Sequence, residues 1–387
     1  MVSNTVRGVM CFMLMAGVGV SDDVRHDKRM MREQWRIGSD DQEIMYGMIG
    51  GACVDRSGNL YLLDVQLKHV LVLDDRGNLL RTIGRAGQGP GEFSAPTDLD
   101  LGGDDEIIVS EHWPSRLHRL TVSGEPVMSI NPSRHMDHYD DYILHGVDGE
   151  TGVLACMMSH RTFSGGSVCD TTVLARLDEF GATKVRYRKW TSRQSLRRDV
   201  IDETAGYFPA QAWALLPSGT LVMAPERDEY LLEFMDRDGR TIRRVSREIT
   251  APLRTEGEIR AIKNTKKKTV NGVEVPLEFI LEDRDPAIRT IDAMHDSAIW
   301  IASARQYRDL PPGAGARFDI FTDGGLYAGD VTLYFENDPN RDRFVLLGDG
   351  SVLQIKNYVD MSHAAMGITG KQEADLEENA TAIVFWK

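Results

Sequence analysis

The sequence predicts an all-β chain: a six-bladed β-propeller of four-stranded antiparallel blades, the last blade closed by an N-terminal strand. Three observations predict it. First, a turn followed by an apolar strand recurs six times: SGNLYLLD (Ser57 to Asp64), GDDEIIVSE (Gly103 to Glu111), DGETGVLACMM (Asp148 to Met158), SGTLVMAPE (Ser218 to Glu226), HDSAIWIAS (His295 to Ser303) and GDGSVLQIK (Gly348 to Lys356). Second, short strands flank most of these units and meet at DRG, DRDG and TDGG junctions, where Asp and Gly supply hairpin backbone angles. Four short strands at a period of roughly 45 to 80 residues are the pattern of a propeller blade. Third, the last repeat has only three strands, RFVLL, SVLQIK and ATAIVFWK, while an orphan strand, REQWRIG (Arg32 to Gly38), precedes the first. Pairing the two ends removes open sheet edges.

The chain opens with Arg7 and an apolar run from Val9 to Val20, too short to span a bilayer and suited to a signal-peptide core. Residues 1–20 therefore read as a signal peptide and 21–387 as one propeller, exported to the periplasm or the cell exterior. Val18 stands where a lipoprotein signal would carry Cys, so no lipid anchor is expected, and the mature chain has no transmembrane segment.

The stretch RTIGRAGQGPGEFSAPTDLD (Arg81 to Asp100) is crowded with glycine. A phosphate cradle needs a helix N-terminus after the glycines. Here Pro96 and a strand follow, so the loop is read as the crossing between blades one and two, with Phe93 plugging the gap between them. Three stretches interrupt the rhythm: Trp190 to Tyr207, polar and placed between blades three and four; Leu253 to Asp285, between blades four and five; and Val359 to Asn379 in blade six. Thr255 and Glu258 form a capping box that starts a helix running into KNTKKK.

The segment GNLYLLD…HVLVLDDRGNLLRTIGRAGQGPGEFSAPTDLDL resembles six-bladed β-propeller proteins with NHL-like repeats, many of them bacterial and exported. The match is close over Ala52 to Ile130, and Arg116 corresponds to the family's basic residue at the start of the third strand. The resemblance implies the fold. It leaves function open, because the architecture hosts lyases, lactonases, RNA-binding modules and protein scaffolds.

The formal charge of −14 on 387 residues argues against nucleic acid as a partner and favours neutral or cationic ones. No C-x-x-C spacing occurs, which excludes a zinc ribbon. Cys156 and Cys169 flank RTFSGGS (Arg161 to Ser167), and a disulfide across that hairpin is left open beside two buried free thiols.

In a four-stranded meander, the crossings between blades and the loops between second and third strands emerge on one face, so the irregular segments gather there. The densest polar constellation is SRHMDHYDDYILH, with His135, Asp137, His138, Asp140, Asp141 and His145; His160 is expected to begin a further loop on the same face. Imidazole and carboxylate together suit a divalent metal, zinc or calcium, with His135, His138 and His145 as candidate ligands, or a solvated recognition loop. Asp64 and Glu111, at the ends of second strands, are further candidates. The resemblance to lactonase-type propellers implies a cation held by channel carboxylates, but Met157, Ser303 and Lys356 break the acidic ring, and pairing of Asp64 and Glu111 with nearby Arg or Lys is the plainer expectation. The sequence is read as a monomeric binding or scaffolding propeller that recognises a protein, peptide or glycan at its loop-rich face. Enzymatic activity is left undecided, the alternative being a metal-assisted hydrolase or lyase at the channel mouth.

Overall fold

The computed structural model of the chain describes residues 20–38, 44–102, 106–111, 116–130, 141–148, 153–164, 167–178, 180–195, 200–207, 209, 211–265, 268–270, 273–275, 277–304, 308–359, 362 and 381–387. Among them, five four-stranded sheets and one five-stranded sheet form the body. The signal-peptide expectation falls on residues outside this set, apart from Val20.

Blade one is the meander Ile49–Val54, Leu60–Asp64, His69–Leu73 and Leu79–Ile83. Blade two is Pro96–Leu101, Glu106–Glu111, Arg116–Thr121 and Pro126–Ile130. Blade three is Asp141–Asp148, Val153–Ser164, Ser167–Leu177 and Thr183–Ser195; blade four is Trp213–Leu215, Leu221–Met223, Tyr230–Met235 and Thr241–Arg247. Blade five is Ile288–Ala293, Ile299–Ser303, Ala316–Phe321 and Tyr327–Tyr334.

Short-range chemistry sets the turns. The Asp74 carboxylate accepts from the amides of Arg76 (2.9 Å) and Asn78 (2.8 Å), and Gly77 takes the positive φ of 83° that closes the hairpin. Asp55 with Gly58, Asp178 with Gly181 and Asp236 with Gly239 repeat the device. The Asp side chain mimics a backbone acceptor two residues on, and Gly enters the left-handed region without a Cβ penalty.

Blade six combines Arg343–Leu346, Val352–Lys356 and Ala382–Trp386 with the N-terminal strand Glu33–Gly38, which pairs antiparallel to Ala382–Trp386. Trp35 stacks on Phe385 with ring centroids 5.3 Å apart. The expected closure by the chain's own N-terminus is therefore present. Val20–Met30 adds a fifth strand to blade five, running parallel to Tyr327–Tyr334.

The core is divided among the gaps between blades. Tyr61, Leu63, Phe93, Leu99 and Val109 fill the space between blades one and two; Leu174, Tyr187, Trp213 and Met223 that between three and four; Leu232, Phe234, Ile291 and Phe321 that between four and five. Trp300, Phe318, Val352 and Trp386 join blades five and six, and Ile37, Ile49, Leu62 and Phe385 join six to one. Burial thus comes from packing flat sheets face to face around a ring, which explains why second and third strands are apolar on both faces. Among the described residues no helix is long and apolar enough to cross a membrane.

The capping box is observed: Glu258 accepts from the Thr255 amide at 2.6 Å, and the Thr255 hydroxyl accepts from the Glu258 amide at 3.3 Å. The helix Glu256–Thr265 ends within KNTKKK, and Lys268–Val270 pairs as a strand with Val273–Val275. Blade three departs from expectation. Its second and third strands stay paired from Leu154 and Leu177 out to Ser164 and Ser167, so His160 lies inside a strand opposite Thr171 rather than at a loop start. Trp190 to Ser195 likewise continue the fourth strand, opposite Thr172 to Ser167, instead of leaving the blade. The same register separates the cysteines. Cys156 faces Ala175 and Cys169 faces Thr162, six positions along the ladder or about 20 Å, far beyond disulfide reach; Cys169 is a free thiol.

Candidate functional site

The loop-bearing face is built around the ends of the second strands. Asp64 ends the second strand of blade one and is wholly buried. Its Oδ1 accepts from the amides of Gln66 (2.9 Å) and Leu67 (2.8 Å), and its Oδ2 from Gly47 (2.5 Å), in the segment entering the blade. Glu111 occupies the matching place in blade two and does the same work: its Oε1 accepts from Ser94 and, at 3.2 Å, from Ala95, where the glycine loop ends. Its Oε2 lies 2.9 Å from Nε2 of His118. Burial pushes the Glu111 carboxyl up, but the hydrogen bonds from His118, Ser94 and Ala95 outweigh it and leave the group below the usual range. The expected Arg or Lys partners are thus replaced by backbone amides and imidazoles. In blade six the polarity is reversed: Lys356 ends the second strand and reaches Asp342 of the entering segment at 3.1 Å. These side chains lock each blade to the loop that enters it and have few free valences for a cation.

The glycine loop carries its own anion. The amides of Gln88 and Gly89 point at Glu92 Oε2, at 3.1 and 2.9 Å, and Arg85 Nε donates to Glu92 Oε1 at 2.8 Å. The Gly89 amide first, then Arg85, holds the Glu92 carboxyl below the ordinary range. Glu92 therefore occupies the place a phosphate would take. Phe93 is fully buried and packs edge-on against His118, as the plug reading required.

The two interruptions flanking blade four meet. Val200–Asp202 pairs in parallel with Glu278–Ile280. Arg254, buried beneath them, bonds Glu203 Oε2 at 2.5 Å, Asp285 Oδ1 at 2.9 Å and the Glu282 carbonyl at 3.1 Å. Arg308, from the loop after the second strand of blade five, reaches Asp285 Oδ2 at 3.2 Å and Glu258 Oε1 at 3.0 Å. Three sequence-distant segments are so joined into one layer. Desolvation works against the Arg254 charge, but its carboxylate partners hold the guanidinium above its usual value.

The inner strands carry acidic groups: Asp98 and Asp100 in blade two and Asp292 in blade five. Burial raises Asp100 and Asp292 to about 6, against a hydrogen bond from the Leu101 amide in the first and from the Thr290 hydroxyl (3.0 Å) in the second.

His135, Asp137, His138 and Asp140 lie outside the described residues. Asp141 and His145 fall on the inner strand of blade three, His145 within a register shift, and His160 on its second strand. Among the described residues no group of three or more His, Cys, Asp or Glu is placed to hold a metal ion. Sequence reasoning missed His118 and Ser129, which stand opposite each other across blade two. The signal was present as an imidazole and a hydroxyl at facing positions of a predicted hairpin.

Residues 43–114 match the family model described as a 6-bladed beta-propeller, DUF5128. The chain is a β-propeller. No curated protein matches it in sequence. Among solved structures it is similar to a Bacteroides fragilis protein described as exported (9% identity, 94% of this chain and 98% of that one, TM-score 0.44). It is also similar to a DUF4221 family member from Bacteroides vulgatus (12% identity, 92% and 97%, TM-score 0.43). A third similar structure is a virginiamycin B lyase from Staphylococcus aureus with quinupristin (10% identity, 90% and 98%, TM-score 0.40). The propeller places the layer around Arg254 beside the inter-blade crossings.

Proposed function

We propose that this propeller is an exported binding module that takes a protein, peptide or glycan on its loop-bearing face. One observation carries the reading: Arg254 and Arg308 tie Glu203, Glu258, Glu282 and Asp285 together where the two interruptions flanking blade four meet. Ordering such long irregular segments costs conformational entropy that the propeller core does not need, and rigid scaffolds with elaborated loops on one face commonly use them for recognition. The net charge of −14 favours neutral or cationic ligands over nucleic acid. Export follows from reading residues 1–20 as a signal peptide.

Peptide and glycan arrays probed with the full chain, and with a variant in which residues 255–282 are replaced by a short Gly-Ser linker, test the proposal. A ligand held by the first and lost by the second, with the melting temperature of the blades unchanged, supports it. Equal binding by both overturns the assignment of this face. Fractionation of an expressing bacterium tests export: the processed chain should leave the cytoplasm, and an unprocessed cytoplasmic chain refutes that part.

A further inference from the structure

Glu111, His118 and Ser129 lie in line across blade two, on its second, third and fourth strands. The Ser129 hydroxyl is 3.0 Å from Nδ1 of His118, and His118 Nε2 is 2.9 Å from Glu111 Oε2. Register explains the alignment, because Ser129 is the direct cross-strand partner of His118. The other carboxylate oxygen of Glu111 is fixed by the amides of Ser94 and Ala95, and the ring of His118 rests edge-on against Phe93 at 5.4 Å. Both His118 and Glu111 are buried, whereas Ser129 is exposed on the outer strand.

The protonation pattern follows from the contacts. An ionised carboxylate only accepts, so the ring hydrogen of neutral His118 sits on Nε2. Nδ1 is then the acceptor facing the Ser129 hydroxyl. A hydroxyl directed at an imidazole that is oriented by a buried carboxylate is the arrangement that activates a serine nucleophile. Here its reactive end opens to solvent and its orienting end is locked into the blade.

We propose that Ser129, His118 and Glu111 form a nucleophilic relay that cleaves small carboxylic esters at the outer edge of blade two. In the first half, Ser129 Oγ bonds to the acyl carbon while its proton passes to His118 Nδ1. The ester C–O bond breaks and the leaving alkoxide takes that proton. In the second half, water attacks the acyl-serine, gives its proton to His118, and releases the carboxylic acid as Ser129 recovers its hydrogen. Glu111 stabilises the imidazolium and needs no net proton change. Glu111 also anchors the loop that enters blade two, but this site uses none of the residues of the layer around Arg254, so it stands independently of the binding proposal.

The test uses the full chain with p-nitrophenyl acetate and with a fluorophosphonate, which forms a serine Oγ–P bond and expels fluoride. Peptide mapping should place the phosphonate on Ser129 in preference to the other serines. Ser129→Ala, at an exposed position, should leave the melting temperature unchanged and lower both reactions at least 100-fold. His118→Gln should do the same at Ser129. Should that variant fail to fold, labelling in urea replaces it, since unfolding removes the imidazole and must abolish the preference for Ser129. Absence of labelling at Ser129, labelling that persists undiminished in His118→Gln, or a preference that survives in urea would overturn the proposal and leave the three groups as a structural network.

Discussion

Phe93 and Gly84 provide a direct test of how blades one and two are joined. Phe93 is fully buried among Tyr61, Leu63, Val109 and Leu120, and Phe→Ala at such a site costs about 3–5 kcal/mol. Gly84 has φ of 76°, and a Cβ built there would stand 2.3 Å from Cε2 of Phe93. Gly84→Ala therefore carries two penalties. The left-handed backbone costs about 1–2 kcal/mol whatever surrounds it. The collision with the ring adds about 1–3 kcal/mol of overpacking. In the Phe93→Ala background the ring is gone and only the first penalty remains. The double-mutant cycle should thus show a coupling of about 1–3 kcal/mol, with the double variant more stable than the sum of the single effects allows. Urea unfolding followed by tryptophan fluorescence measures it, through shifts in midpoint at constant slope. A Gly84→Ala penalty that is the same in both backgrounds, within about 0.5 kcal/mol, would mean that the ring does not fill this gap.

Deleting residues through Gly38 removes buried Ile37 and the Trp35–Phe385 stack and should lower stability by about 3–5 kcal/mol, whereas deletion through Met30 takes away a strand whose described side chains are exposed and should cost less; thermal unfolding ranks the two, and the reverse order would refute the closure. Asp292 is raised to about 6 by burial from an ordinary value of 3.8, so its protonated form favours the native state and the wild type loses stability as pH climbs from about 4 to about 6. Asp292→Asn should therefore gain on the order of 1–3 kcal/mol near neutral pH and almost nothing near pH 4, as read from urea midpoints across that range; a variant less stable than wild type at neutral pH contradicts the sign. Arg254→Met should abolish amide-exchange protection in Val200–Asp202 and Glu278–Ile280 while protection in blades one and two persists, and unchanged protection in those segments would show that the guanidinium does not hold the layer together.

Much of the fold was fixed within short windows of sequence. The Asp-x-x-Gly turns at Asp74 and Asp236 are decided by one side chain and one glycine, and the alternation of turn and apolar strand sets the blade count. The ring closure was legible because a missing strand at one end and a spare strand at the other can satisfy each other. The Thr255–Glu258 capping box and the Phe93 plug were equally local. What only the tertiary structure decided were pairings between distant or polar segments. Val20–Met30 carries no alternating pattern, and it becomes a strand because the outer edge of blade five offers unpaired backbone groups some 300 residues away. Val200–Asp202 and Glu278–Ile280 are too short to declare themselves, and they meet because the propeller brings both crossings to one face, where Arg254 bonds the neighbouring carboxylates of Glu203 and Asp285. The extra length of blade three, which places His160 in a strand, depends on where its hairpin turns. The alignment of Glu111, His118 and Ser129 required three strands to settle into one register, because a shift of a single residue would send each side chain to the opposite face of the sheet.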